Sequence, residues 1–309
     1  MTRVISTLAA SFGVEPVCAE LSVPVSTHYA QVRREREPSA RQIDDARLIG
    51  QIRLAREGYR GVYGAERTWR ELGRRGVVVG RDRVARLMRE QGMAGVVRGR
   101  RHTTTIRDEA LAARARDLVD RDFTATGPNQ LWVADFTYLR SRQGFLYLAF
   151  ILDVFSRMIV GWQLATHMRA SLVVDALEMA AGLRRPPGGL IAHTDAGSQY
   201  TSVAYTERIH ALGMQPSIGS VGDALDNAMA EAFVGTIKSE LIQGRILASF
   251  EAAEHEILGW ISFYNRERLH EELGHRPPDE FEALHHDEDP RPCGPPSAVP
   301  PASLGALAG

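Results

Sequence analysis

Lysine is almost missing from this chain: Lys238 stands alone against 36 arginines in 309 residues. Such a bias fits a GC-rich coding sequence, so arginine abundance by itself says little about function. Cysteine is nearly absent too, with only Cys18 and Cys293. That excludes a disulfide framework and any cysteine-rich zinc finger, and it suits a reducing cytosol. Long apolar runs are lacking. The longest, "FLYLAFIL" at 145 to 152, falls far short of the roughly 20 residues of a membrane span. The N-terminal "VISTLAASFG" is too polar and short for a signal peptide, so a cytoplasmic protein is expected. No internal repeat is present.

What is present is a charge asymmetry. The formal net charge is −1, yet residues 1 to 127 hold 24 arginines against 16 acidic residues, a surplus of +8. Residues 128 to 309 hold 13 basic against 22 acidic residues, a deficit of −9. This is the distribution expected when one half meets a polyanion, although a solvated helical surface produces the same count.

Helical punctuation organises the basic half. Residues 14 to 34, "VEPVCAELSVPVSTHYAQVRR", read as a short helix, a turn around Ser22 to Pro24, and a second helix capped near Ser26. We assign 1 to 42 as a helix-turn-helix-like segment, with "REREPSARQ" as a polar linker. Two or three amphipathic helices follow over 44 to 92, within a basic DNA-binding region assigned to 43 to 105. In "RDRVARLMREQGM", Val84, Leu87 and Met88 form an apolar stripe, leaving Arg81, Arg83, Arg86 and Arg89 as candidate DNA contacts. "VVRGRRHTTT" extends this surface into an arm whose Arg98, Arg100 and Arg101 suit phosphate or minor groove. Residues 53 to 101 hold 14 arginines against five acids, which favours DNA over the bland reading.

A linker helix is expected over 106 to 127, and after "TGPN" the texture changes. "QLWVADFTYL", "FLYLAFILDV" and "SRMIVGWQLA" read as three successive strands joined by short turns. Helix 171 to 183, strand "LIAHTD", helix 202 to 212, a short strand at 215 to 218 and two long helices complete the pattern. The fold class is therefore α/β: a mixed five-stranded sheet with helices on its faces, spanning 128 to 285. The tail, 286 to 309, has too little apolar content to fold.

Three carboxylates stand out. Asp135 interrupts an apolar strand, where a charge without a partner or solvent costs several kcal/mol. Asp195 ends the strand "LIAHTD", and Glu231 lies on an expected helix over 223 to 242. Helical spacing puts Asn227, Ala228, Gly235 and Lys238 on the Glu231 face, with Leu225, Met229, Phe233 and Ile237 on a core-facing side. Taken singly, each acid has a bland reading as a helix cap or a solvated side chain. Together they could hold two Mg²⁺ or Mn²⁺ ions, hard cations that prefer oxygen, as required for two-metal phosphoryl transfer.

Thirty-five residues separate Asp195 from Glu231. With "PNQLWVADFTYL", "HTDAGSQYTS", "DNAMAEAF…IKSEL" and "FYNRERLHEELGHRPP", the chain resembles the OrfB transposases of the bacterial insertion-sequence three family, within the ribonuclease-H-like superfamily. The likeness spans roughly 44 to 285. It implies that Asp135, Asp195 and Glu231 are catalytic ligands of two Mg²⁺ or Mn²⁺ ions, and that Lys238 contacts the donor DNA end. It further implies 3′-end cleavage followed by strand transfer, element ends and target DNA as partners, and a homo-oligomer on DNA. An upstream-frame partner or frameshift fusion is also expected. Arg268 and His270, in the C-terminal signature, become candidate DNA contacts alongside Asn227.

Departures from the family pattern at Ala196, Ala232 and Val234 bear on local DNA contacts rather than on metal chemistry. The alternatives are a metal-dependent nuclease that does not join DNA, and a DNA-binding protein derived from a dead element. Some residues are decoys. "HEELGH" spaces its histidines five apart, unlike the four of a zinc protease. His285 and His286 read as tail residues, and Asp153 as the ion-pair partner of Arg157.

Overall fold

The computed structural model describes residues 2–36, 38–97, 117–120, 122–195, 199–200, 202–219 and 228–288. The chain divides into two compact units, Met1–Val96 and Val97–Gly309.

The first unit is helical. Helices α1 (Thr2–Phe12), α2 (Val14–Glu20) and α3 (Val25–Arg36) come first, so the pair expected over 14 to 34 is present and is preceded by a further helix. The second of that pair starts at Val25, which puts Ser26 inside its first turn rather than at its cap. Ile5, Val17 and Cys18 form a small core among them. Helices α4 (Ala40–Gly58), α5 (Ala65–Arg74) and α6 (Arg81–Glu90) pack around Leu48, Ile52, Leu72, Val84, Leu87 and Met88. A capping box starts α4: Ser39 Oγ accepts from the Gln42 amide, and Gln42 Oε1 accepts from the Ser39 amide at 2.8 Å.

The second unit is built on a five-stranded sheet of order β3-β2-β1-β4-β5. Its strands are β1 (Leu131–Ser141), β2 (Gly144–Asp153), β3 (Ile159–Ala165), β4 (Ile191–Thr194) and β5 (Gln215–Ile218). The first three form an antiparallel meander, whereas β4 joins β1 and β5 joins β4 in parallel. Each parallel step uses a helical crossover, α7 (Ala170–Arg184) and then α8 (Val203–Ala211). The run "FLYLAFIL" lies on β2, between β1 and β3, and its residues from Leu148 to Leu152 are buried on both faces of the sheet.

One face of the sheet carries Trp132, Ala134, Ala149, Ile151 and Val160 and packs on α7 and α8. The helix α9 (Ala228–Ile237) meets the other face, where Phe233 lies 4.3 Å from Phe150, ring to ring. A π-helical turn, Lys238–Ile242, follows directly, then α10 (Phe250–Arg266) and α11 (Pro278–Glu288). The single helix expected over 223 to 242 is therefore an α-helix that widens into a π turn at Lys238, and its residues 223–227 lie outside the described residues. Met229, Phe233 and Ile237 face the core as expected.

Three further expectations change. Residues 122–130 form loop and turns, so the linker helix does not extend over them, while 106–116 lie outside the described residues. The C-terminal helix runs to Glu288, and His285 packs against Phe155 with ring centroids 4.7 Å apart, so it belongs to the fold and not to a tail. Arg157 pairs with Glu272 at 2.9 Å, not with Asp153. Asp153 is fully buried and accepts hydrogen bonds from the amides of Asn129, Phe155 and Ser156 and from Trp132 Nε1. Burial raises its pKa, against the pull of the Asn129 amide.

Gly161 on β3 is where α7 comes closest to the sheet. An added Cβ there would sit 2.4 Å from the Ala176 carbonyl oxygen and 2.7 Å from Ala180 Cβ. Neither neighbour can swing aside. We expect Gly161→Ala to lower stability by about 1–3 kcal/mol, the range for overpacking, read as a drop in the urea midpoint. An unchanged midpoint would show that α7 is free to move outward.

Candidate active site

The site begins at the last parallel pair of β1 and β4, Ala134 with Thr194. One residue further along each chain stand Asp135, still on β1, and Asp195, just past the end of β4. Parallel pairing in register thus places both carboxylates one residue past the last β1–β4 pair, Asp135 within β1 and Asp195 beyond β4. Tyr200 feels the charge of both. Its ring is buried at 2% exposure, and burial first, then the charges of Asp135, Tyr205 and Asp195, push its hydroxyl well above the usual phenol range. Among the described residues, that hydroxyl has no hydrogen-bond partner.

The third carboxylate comes from across the sheet. Phe150 is the β2 partner of Asp135 and packs, tilted, against Phe233, two residues after Glu231, so the first turn of α9 is held over the strand that carries Asp135. Glu231 is half-buried there. Asp135 Oδ1 accepts from the Phe136 amide at 2.7 Å. All three acids offer hard oxygen donors of the kind that suit Mg²⁺ or Mn²⁺. Among the described residues, no three carboxylate, imidazole or thiol groups approach closely enough to hold one metal ion.

Lys238 opens the π turn at the same edge. Its ammonium lies 4.8 Å from the centre of the Tyr138 ring. Although the residue is exposed, atoms packed around the ammonium lower its pKa, while the negative charge of Asp135 opposes that shift. The lone lysine therefore shares a neighbourhood with the first carboxylate.

The C-terminal signature has a different place from the one expected of it. Arg268 and His270 are buried, at 5% and 9% exposure, so neither presents a DNA-facing surface. Arg268 donates to both Glu240 oxygens, through Nη2 to Oε1 at 2.8 Å and Nε to Oε2 at 2.9 Å. Its Nη1 lies 3.3 Å from His270 Nε2. Tyr264 sits edge-on to His270, while Asn265 closes both hydrogen-bonding groups of Ile159 on β3 at 2.9 Å. Glu240 belongs to the π turn, so this cluster locks the segment that carries Lys238. "HEELGH" holds a short 3-10 turn, Glu271–Leu273, and no helix that could align its histidines.

The arginines of α6 are also partly engaged within their own unit. Arg83 donates to Asp44 at 2.6 Å and to Asp45 at 2.5 Å, while Arg86 bonds Asp45 at 2.8 Å and Glu90 at 2.9 Å. Hydrogen bonds from Arg86 and then Arg83 hold the Asp45 carboxyl below the usual range. These two tie α6 to α4. Arg81, near Glu66 at 3.5 Å, and Arg89 are exposed. Arg98, Arg100, Arg101, Asn227 and Ala196 lie outside the described residues. Sequence reasoning missed Tyr200 and Glu240 as parts of this region, though "HTDAGSQYTS" and "IKSEL" contained them.

A meander of three strands followed by two parallel additions, with helices on both faces, is a ribonuclease-H-like core of the integrase class. Comparison with known proteins gives the particular family. The integrase core domain matches residues 125–224, a second integrase core pattern matches 212–278, and an HTH-like domain matches 42–101. The HTH-like match thus covers α4 to α6 and leaves out the helix pair at 14 to 34. Similar proteins include the transposase for insertion sequence element IS629 of Shigella sonnei, 44% identical over 93% of this chain and 97% of its own length. The transposase for IS904 of Lactococcus lactis is 37% identical over 80% of this chain and 98% of its own length. Transposase InsF for insertion sequence IS3A of Escherichia coli is 34% identical over 88% and 95%. The chain belongs to the insertion-sequence-three family of transposases with an integrase core domain. Among the described residues, no helix is long and apolar enough to cross a membrane.

Removing one partner of a buried ion pair leaves the other uncompensated. We expect Arg268→Ala to destabilise the protein by about 3–5 kcal/mol, and Arg268→Met with Glu240→Leu to cost less. Denaturant unfolding measures both. If Arg268→Ala unfolds like the parent, the cluster does not hold the π turn.

Proposed function

We propose that this transposase cleaves the 3′ ends of its element and joins them to target DNA by direct transesterification, with Asp135, Asp195 and Glu231 as its catalytic carboxylates. The observation that carries this reading is that Asp135 and Asp195 each stand one residue past the last β1–β4 pair, with the helix bearing Glu231, and the turn bearing Lys238, packed against the same part of the sheet. Two bound Mg²⁺ or Mn²⁺ ions would supply activation of the attacking oxygen and stabilisation of the leaving one. Asp135, Asp195 and Glu231 are the residues that would hold them.

In the first step water attacks a phosphodiester, a new P–O bond forms, and the bond to the 3′ oxygen breaks to free a 3′-hydroxyl. In the second step that hydroxyl attacks another phosphodiester, and one P–O bond is exchanged for another. The number of phosphodiester bonds is unchanged in the joining step, so no nucleotide cofactor is needed. Lys238 contributes a compact charge that follows a phosphate oxygen without demanding a fixed fork geometry. Burial lowers its pKa, and the negative charge of Asp135 opposes that shift. Asn227, four residues before Glu231 in the sequence, is a further candidate contact to the element end.

The helical unit supplies DNA affinity, with Arg81 and Arg89 as its exposed candidates and Arg98, Arg100 and Arg101 beyond them. Within the bacterial cytoplasm the protein acts as a homo-oligomer on the element ends, with a product of an upstream reading frame as partner or fusion.

The decisive assay is joining on a branched DNA whose 3′-hydroxyl is already positioned, in Mg²⁺ or Mn²⁺. Pre-positioning removes part of the orientation cost, so knowledge of the natural ends matters less. Wild type should give joined product, and Glu231→Gln should give none. Metal-dependent nicking without joining would replace this reading with a nuclease.

A further inference from the structure

Beyond Ala134 and Thr194 the strand β1 runs on without β4, paired with β2 and, near its end, bridged at Ser141 to Leu247. In this projecting hairpin Tyr138 faces Tyr147 and Arg140 faces Phe145 in register. Residues two apart on a strand share a face, so these four side chains form one patch. Tyr138 and Phe145 remain 43% and 49% exposed, with rings 5.5 Å apart and edge-to-face. Arg140 is exposed beside them, and Tyr147 is the half-buried member that roots the patch in the core. The Lys238 ammonium reaches the Tyr138 ring from the π turn.

Two large exposed aromatic rings, with an arginine and the lone lysine between and over them, make up a cationic aromatic surface. It lies in the half of the chain that otherwise carries an acidic surplus. Tyr138 is three residues from Asp135, about 10 Å along the strand and on its opposite face. The link between patch and carboxylate is therefore Lys238, which reaches the Tyr138 ring from the turn after α9. Aromatic faces offer little to a stacked duplex, but they hold unstacked bases while nearby cations follow the phosphates.

We propose that this hairpin face, Tyr138, Arg140, Phe145 and Tyr147 with Lys238, binds unpaired nucleotides of the DNA strand beside the reacting phosphate. The proposal rests on the catalytic reading above and adds to it a site for melted or single-stranded DNA. It makes Tyr138 and Phe145 stacking residues. They grip the strand where it must leave the double helix and take no part in bond making.

The test uses the full chain carrying Glu231→Gln, so that DNA is held without turnover. Two probes are compared: a blunt duplex, and the same duplex with a short single-stranded flank containing fluorescent aminopurine. Stacking on the patch should quench the aminopurine and make the flanked duplex the tighter ligand. Tyr138→Ala should abolish the quenching and weaken flanked binding roughly tenfold, with blunt binding unchanged. Tyr138→Phe, which keeps the ring, should restore both, and Phe145→Ala should repeat the loss if Tyr138→Ala proves unfolded.

Equal affinity for the two probes, without quenching, overturns the proposal. So does a change in sedimentation on Tyr138→Ala in the absence of DNA, because a second copy of the chain would then be what covers the patch. Quenching here, combined with a wild-type protein that gives no joined product on the branched DNA, would leave this site standing and remove the transesterification reading. Joining without quenching would do the reverse.

Discussion

The parallel pairing of β4 with β1 is the constraint on which the rest of the catalytic unit depends. A parallel neighbour cannot be reached by a tight turn, so the chain needs a crossover, and α7 provides it by lying close over β3 at Gly161. The pairing is only four residues long and stops at Ala134 and Thr194. Because it stops there, Asp135 and Asp195 each stand one residue past the last pair, and β4 leaves the edge of β1 beyond them open. That bare edge is then taken by the chain returning after the π turn, where Leu247 exchanges hydrogen bonds with Arg140 and Arg142 at 2.9 Å. Carboxylates, lysine and hairpin face all follow from where β4 ends.

A second constraint acts from behind the site. The segment "FYNRERLH" reads as a block of polar and aromatic residues, and in the structure nearly every member has an internal partner. Tyr264 packs against Phe233, Trp260 and His270, Asn265 completes the edge of β3, and Arg268 takes both oxygens of Glu240. A buried ion pair is costly to desolvate and contributes little net stability unless its geometry satisfies both groups, as the bidentate arrangement here does. Its value lies in fixing one conformation. The π turn that it anchors sets where Lys238 stands relative to Asp135, which links a motif at the end of the core to chemistry at the sheet edge.

The arginine bias looks different once partners are visible. In α6, Arg83 and Arg86 face Asp44 and Asp45 of α4 and serve to join two helices. Arg184 forms a second internal lock, bonding both oxygens of the buried Glu282 at 2.8 Å and so fastening α11 to α7. A count of positive charges overstates the surface available to DNA when arginine also does the packing that lysine would do less well, since its planar fork keeps its charge while satisfying two acceptors.

The sequence by itself determined the order of strands and helices, because periodicity and turn residues are local. The runs around Trp132, Phe150 and Val160, the helix over 170 to 184, and the core face of Met229, Phe233 and Ile237 are all legible without coordinates. It also supplied the acidic trio as candidates, through spacing and surrounding words. Tertiary structure alone decided the partners. Whether Arg268 met Glu240 or DNA, whether Asp153 took Arg157 or four hydrogen-bond donors, and whether the helix after Glu231 stayed α-helical depended on contacts between residues far apart in the chain. Tyr138 and Phe145 became a shared surface only when the hairpin outran β4. Local pattern sets which way a side chain leaves its own element, whereas the charge or ring that it meets is set by packing, and the energy of a buried pair belongs to neither residue separately.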